Sequence, residues 1–214
     1  MAKEKTSVLR VRDLEKSFGE HQVLLELSFD VRAGRAAVLV GPNGSGKSTA
    51  LKCITGADEP DAGTIEVLGE PFTELSATIR AATAVVMDDL DFFPDLTVIE
   101  HLDLFARAHR VEEPEALVDD VLREVGLSAQ SGQLPVSLSS GQRRRLALAS
   151  AFVRPRRLLV LDEPEQRLDT EGLAWLATRL RTEKKNGLAI LFASHSPELV
   201  EAVADEVVTL GRES

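Results

Sequence analysis

Residues 41–49 read Gly41, Pro42, Asn43, Gly44, Ser45, Gly46, Lys47, Ser48, Thr49 and fit the pattern G-x-x-x-x-G-K-[ST]. The chemistry this spacing suits is the grip of a polyphosphate. Gly41, Gly44 and Gly46 lack a Cβ, so the backbone can curl round a phosphate and aim its N–H groups inward. Lys47 would reach the β- and γ-phosphates as a point charge. Ser48 would offer its hydroxyl to Mg²⁺. A second group of reactive residues closes the apolar run 158–161, where Asp162 and Glu163 stand side by side. Asp162 suits a divalent metal, directly or through water. Glu163 suits a general base acting on an attacking water. A third candidate, His195, follows the apolar run 188–193.

Those side chains need a frame. The run 36–40 is apolar and reads as a buried strand, and residues 47–55 read as a helix whose N-terminus faces the anion. Strands are expected at 8–11, 24–31, 63–69, 82–87, 158–161, 188–193 and 207–210. From Thr97 the period changes to a helical one. Helices are expected from 97, from Pro114 to Gly126, from about Ser140 to Val153, over 170–186 and over 198–204. Strands alternating with helices predict an α/β protein with a mostly parallel sheet covered on both faces. A buried strand puts Asp162 and Glu163 at its carboxyl end, where open α/β sheets bind ligands. The reading is one domain over 1–214. Its core covers 1–87 and 156–214, and a helical subdomain is inserted at about 88–155.

Composition narrows the classes. A net charge of −10 argues against nonspecific nucleic-acid binding, which needs a basic footprint. No apolar run reaches ten residues, so no bilayer span is expected. The charged opening 1–6 carries no signal peptide pattern. One cysteine, Cys53, allows no internal disulfide and reads as a small buried hydrophobe.

Residues 138–142 read Leu138, Ser139, Ser140, Gly141, Gln142 and open the helix bearing Arg143, Arg144 and Arg145. A small, polar helix start offers a second anion site. Its alternative is a capped start with a solvated basic turn. Here the chain resembles the ATP-binding-cassette family, whose signature reads LSGGQ and lies shortly before the Asp-Glu strand. The resemblance covers nearly the whole chain. It implies a P-loop NTPase with an N-terminal antiparallel β part and an inserted helical subdomain, working with ATP and Mg²⁺. Phe18 falls where the family stacks an aromatic on adenine. Its alternative is a core Phe near a turn. Asp169 matches the aspartate of the family's D-loop, 164–169, and His195 matches its switch histidine.

Three departures stand out. Ser140 replaces the second signature glycine. The D-loop reads Glu165, Gln166, Arg167, Leu168, Asp169 and is bulkier than usual. Asp88 stands where the Q-loop glutamine is expected, close enough in the pattern to join the metal site, with Asp89 as a neighbouring candidate.

The resemblance further implies a second ATPase subunit, read as a homodimer, with ATP held between the phosphate loop of one copy and the signature of the other. It implies separate integral membrane permease subunits, met over 88–100 with Phe92, Phe93, Pro94 and Leu96 as apolar anchors. Buried core is the alternative for those aromatics. The expected place is cytoplasmic, peripheral on the inner face of the membrane, with no nucleic-acid partner. The ending near Ser214 and the run Gln142 to Arg145 lean towards export. Two competing classes are a soluble cassette ATPase acting as an assembly switch and a P-loop kinase.

Overall fold

The structure, a computed structural model, describes residues 7–73, 75–88 and 91–211. The readings above for residues 1–6, for Asp89 and for Ser214 lie outside these residues.

The chain opens with a long hairpin, β1 (Ser7–Phe18) and β2 (His21–Arg32), turning at Gly19 and Glu20. Both strands outrun the expected 8–11 and 24–31. Register shifts break the alternation that periodicity relies on, and Asp13 and Glu26 sit at positive φ within the strands. Strand β3 (Ala36–Val40) and helix α1 (Lys47–Thr55) flank the glycine loop. Strands β4 (Ala62–Val67) and β5 (Glu70–Pro71) complete a four-stranded antiparallel sheet, in the order β2-β1-β4-β5.

The expected strand over 82–87 is shorter. Residues 77–82 form helix α2 (Ala77–Ala82), capped where the Ile79 N–H donates to the Ser76 hydroxyl, and β6 (Thr83–Val86) follows. Neither α2 nor the two-residue β5 was legible in the pattern. A helix of one and a half turns with one buried residue, Ile79, leaves no period to count.

The helical stretch comprises α3 (Val98–Ala108), α4 (Pro114–Glu124) and α5 (Ser140–Phe152), with 3-10 turns at Ser128–Gln130 and Pro135–Ser137. Thr97 and Glu100 form a capping box that starts α3. Gly126, at φ 71°, follows α4. Strand β7 (Leu158–Asp162), helix α6 (Thr170–Lys185), strand β8 (Ala189–Ala193), helix α7 (Pro197–Val203) and strand β9 (Glu206–Thr209) finish the chain.

Five strands pair in parallel in the order β6-β7-β8-β3-β9. β7 and β8 are buried at every position and β3 at all but its last, which is why they read as apolar runs. Alternate residues feed two cores. Ala37, Leu39, Leu158, Val160 and Leu191 pack with α1 and the antiparallel sheet. Val38, Leu159, Leu161, Ile190 and Phe192 pack with α3 to α6. Cys53 is buried in the first core, and burial pushes its thiol up to about 11. It is therefore the inert thiol its position suggested. Among the described residues no helix is long and apolar enough to cross a membrane.

Candidate active site

Because β6, β7, β8 and β3 run parallel as neighbours, their carboxyl ends lie along one edge. That edge receives Asp88 after β6, Asp162 and Glu163 at the end of β7, His195 after β8, and the glycine loop after β3. Topology thus gathers residues up to 154 positions apart in sequence, from Gly41 to His195.

The glycine loop turns into α1 through Gly46, at φ 96° and ψ 8°. A Cβ there would lie 2.8 Å from Val23 Cγ1, so both the backbone angle and the space demand glycine. Lys47 is buried, and its Nζ donates to the carbonyls of Gly41 and Pro42, each at 3.0 Å. An open cleft of about 550 Å³ lies over the loop, lined among others by Phe18, Asn43, Gly44, Lys47, Thr49 and Glu163. Ser48 also lines it, with its hydroxyl placed to favour the charged form of the Asp162 carboxyl. Phe18 is 53% exposed, which excludes the core reading of that ring. Its face is open to a stacking partner, with Lys16 Nζ 5.2 Å from the centroid.

Asp162 is buried, and its Oδ1 has no hydrogen-bond partner. Burial pushes its carboxyl up, Glu163 and Asp88 add to that, and the Ser48 hydroxyl opposes it. An orphaned carboxylate oxygen beside a hydroxyl is a hard-oxygen donor set, and it fits Mg²⁺. Among the described residues no group of three or more His, Cys, Asp or Glu could hold a metal unaided. A small oxygen-seeking ion shared with phosphates suits such a site better than a protein cage.

Glu163 adopts φ 43°, a left-handed angle that costs a non-glycine residue free energy. Its backbone N–H donates to Ala193 O at 3.0 Å, which ties β7's end to β8's. Its Oε1 lies 3.2 Å from His195 Nε2, and its Oε2 accepts from the Gln166 amide. Asp88 stands 3.6 Å from an Arg167 nitrogen, so two departures from the expected pattern meet each other.

The residues Ser139, Ser140, Gly141 and Gln142 open α5 but do not line the cleft over the glycine loop. The Gln142 N–H donates to the Ser139 hydroxyl, and the Ser139 N–H donates to the Gln142 side-chain oxygen, a capping box. A Cβ at Gly141 would lie 2.8 Å from Arg167 O, so the missing side chain serves a close approach.

The basic run is solvated only in part, since Arg143 is exposed, Arg145 half-buried and Arg144 buried. Arg143 donates to Leu138 O at 2.8 Å, and Arg145 pairs with Asp169 at 3.0 Å. Asp169 also caps α6 by accepting from Gly172 N. Arg144 is buried and donates to the carbonyls of Met87, Asp162, Glu163 and Pro164. Burial pulls its pKa down, while the nearby Asp88, Glu165 and Asp162 charges oppose that. The helical period carried the signal, since Arg144 shares a face with the buried Ala147, Leu148 and Ala151.

The family model described as "ABC transporter" matches residues 24–166, more than half of the chain. The chain belongs to the ABC transporter family. The SkfA peptide export ATP-binding protein SkfE of Bacillus subtilis (strain 168) is 33% identical over 205 residues, covering 95% of this ABC chain and 85% of that protein. The Nod factor export ATP-binding protein I of Burkholderia lata is 39% identical over 203 residues, covering 93% of the ABC chain. The chain spans 66% of that longer relative. A solved structure described as the ATP binding subunit of an ABC transporter superposes with a TM-score of 0.88 at 31% identity, covering 95% of this chain and 86% of that one. The P-loop fold of an ABC ATPase, with its antiparallel N-terminal sheet and its parallel sheet flanked by helices, is thereby shown.

Proposed function

We propose that this chain binds ATP with Mg²⁺ and hydrolyses it to power export through separate membrane permease subunits. The observation that carries the reading is the meeting of Lys47, Ser48, Asp162 and the Glu163–His195 pair at one sheet edge. Lys47 exchanges its two loop carbonyls for β- and γ-phosphate oxygens, which compete well for a charge held on neutral acceptors. The α1 N-terminus adds backbone N–H donors. The open face of Phe18 takes the adenine. Ser48 and Asp162 would hold Mg²⁺, which neutralises charge on the phosphates when bound. Asp88 stands near enough to act on Asp162 electrostatically, and its contribution to metal binding goes together with the Arg167 contact. Glu163 accepts the proton of the attacking water, and His195 stands beside it to meet the γ-phosphate.

The dimer belongs to the same reading. The start of α5, Ser139 to Gln142, lies off the cleft of its own chain, as a surface offered to another copy would. ATP closes such a pair and hydrolysis reopens it. Phe93, 54% exposed, and the half-buried Phe92 are the anchors for the permease, which would keep the chain on the cytoplasmic face of the membrane. The relatives named for export favour that direction. The division into a core, 1–87 and 156–214, and a helical part, 88–155, belongs to this reading as well.

Size-exclusion of Glu163→Gln with Mg²⁺-ATP is expected to show a dimer. A monomer under those conditions overturns the closure step. Detergent extraction and pull-down are expected to recover a multi-spanning partner. Recovery of none favours the soluble assembly switch.

A further inference from the structure

The segment between β7 and α6, residues 163–169, touches two other loops of its own chain and the first turn of α5. Glu165 Oε1 accepts from three consecutive residues of the β8–α7 loop: Ser194 Oγ at 2.5 Å, His195 N at 2.9 Å and Ser196 N at 3.2 Å. Its other oxygen is buried with no partner. The next residue, Gln166, donates its side-chain amide to Glu163 Oε2. Arg167, at φ 64°, reaches Asp88, and its carbonyl lies beneath Gly141.

A buried carboxylate oxygen with no hydrogen-bond partner carries a free-energy cost, and so does left-handed backbone at Glu163 and Arg167. A segment needed only to join a strand to a helix would carry neither. What these costs achieve is geometry. Glu163 and His195 face each other from separate strands, 32 positions apart in sequence. Neither strand fixes where the two side chains point. Glu165 holds the backbone of one and Gln166 holds the carboxylate of the other, from adjacent positions of one short turn.

We infer that Glu165 and Gln166 are positioning residues for hydrolysis: Glu165 fixes the backbone from which His195 projects, and Gln166 orients the Glu163 carboxylate. The inference rests on the ATPase reading above. It also means that any partner displacing this segment disturbs both members of the pair together.

The test uses the full chain with three readouts: steady-state ATPase, titration with a fluorescent ATP analogue, and amide hydrogen exchange over residues 193–197. Glu165→Ala is expected to lower kcat by about 10²-fold, because misplacement of order 1 Å costs that much. Its nucleotide affinity and melting temperature stay close to those of the parent chain, and exchange over 193–197 rises at least about tenfold, as when protecting bonds are lost. Glu165→Gln keeps an acceptor oxygen and restores most of the rate. Gln166→Ala is expected to lower kcat about tenfold, the effect of one bond to a charged group, with exchange over 193–197 unchanged. Gln166→Glu, which sets two carboxylates together, lowers it further. The inference is overturned if kcat stays within about twofold in both alanine variants, if affinity or melting temperature falls in step with kcat, or if Glu165→Ala leaves exchange unchanged. Should Glu165→Ala fail to fold, Glu165→Met, which fills the same space without an acceptor oxygen, is read by the same two signs, the fall in kcat and the rise in exchange. Should the parent chain neither bind nor hydrolyse ATP, the ATPase reading fails, and the exchange result alone judges the hold of Glu165 on the loop.

Discussion

Arg144→Met removes a guanidinium and keeps most of its aliphatic stem. Four backbone carbonyls, those of Met87, Asp162, Glu163 and Pro164, lose their charged donor. A hydrogen bond to a charged group contributes roughly 1.5–3 kcal/mol, but four bonds from one side chain do not add. The variant also escapes the cost of burying a cation. Breaking a buried charged contact by deleting one side typically costs about 3–5 kcal/mol, and that is the expected loss here. For a chain of this size each kcal/mol lowers the melting temperature by roughly 2–4 °C, so a fall on the order of 10 °C is expected. The neighbour supplies the control. Arg143 is exposed and makes one bond, to Leu138 O, so Arg143→Met costs about 1 kcal/mol or less. Thermal unfolding followed by circular dichroism compares the two. Equal and small shifts in both variants would refute the assignment of Arg144 as the buried tie of this edge.

Lys47→Ala removes the only side-chain charge on the phosphate loop, and calorimetric titration is expected to find ATP affinity reduced by at least about a hundredfold, since charge-assisted contacts are the strong ones. Gly46→Ala places a Cβ on Val23 at a left-handed angle, which costs about 1–2 kcal/mol before the overlap is counted. It is expected to weaken nucleotide binding with the fold retained, and unchanged affinity would show that the loop relaxes freely. The Asp205 carboxyl supplies a pH test. Burial alone would raise it, but the Ala36 N–H, Lys184 and Arg35 together hold it below the usual carboxylate range. A lowered folded-state value means stability that is full above the ordinary carboxylate range and lost as pH falls through the lowered one. The stability gap between the parent chain and Asp205→Asn is therefore constant near neutrality and narrows in acid. A gap of the same size at both ends would exclude that linkage.

The phosphate loop, the Asp162–Glu163 strand end and the His195 strand end were legible because each follows a short apolar run of the kind a strand covered on both faces produces. The parallel direction of the sheet follows from alternation of strands and helices, but its order, β6-β7-β8-β3-β9, does not. What the sequence hid was side-chain bonding between loops. The grip of Glu165 on residues 194–196 joins segments whose meeting depends on β7 and β8 being neighbours. The Asp88–Arg167 contact is invisible for the same reason, since each residue alone looks like a departure and only together do they balance charge. Arg144 was legible by its phase on α5, yet a run of three arginines reads as solvent-facing when charge is weighed before period. Helix α2 was hidden by shortness, and the length of β1 and β2 by their bulges.

The three central strands of the parallel sheet, β7, β8 and β3, bury both faces with side chains that alternate strictly between two apolar volumes. They work as a partition one backbone thick. A void opened by truncating Leu161 cannot be filled by Leu158 or Val160, which lie on the opposite side of the wall. Packing faults therefore stay in the compartment where they arise. The half that bears α3 to α6 can accumulate substitutions to suit a new neighbour, while the half behind the phosphate loop keeps its own contacts and its own tolerance.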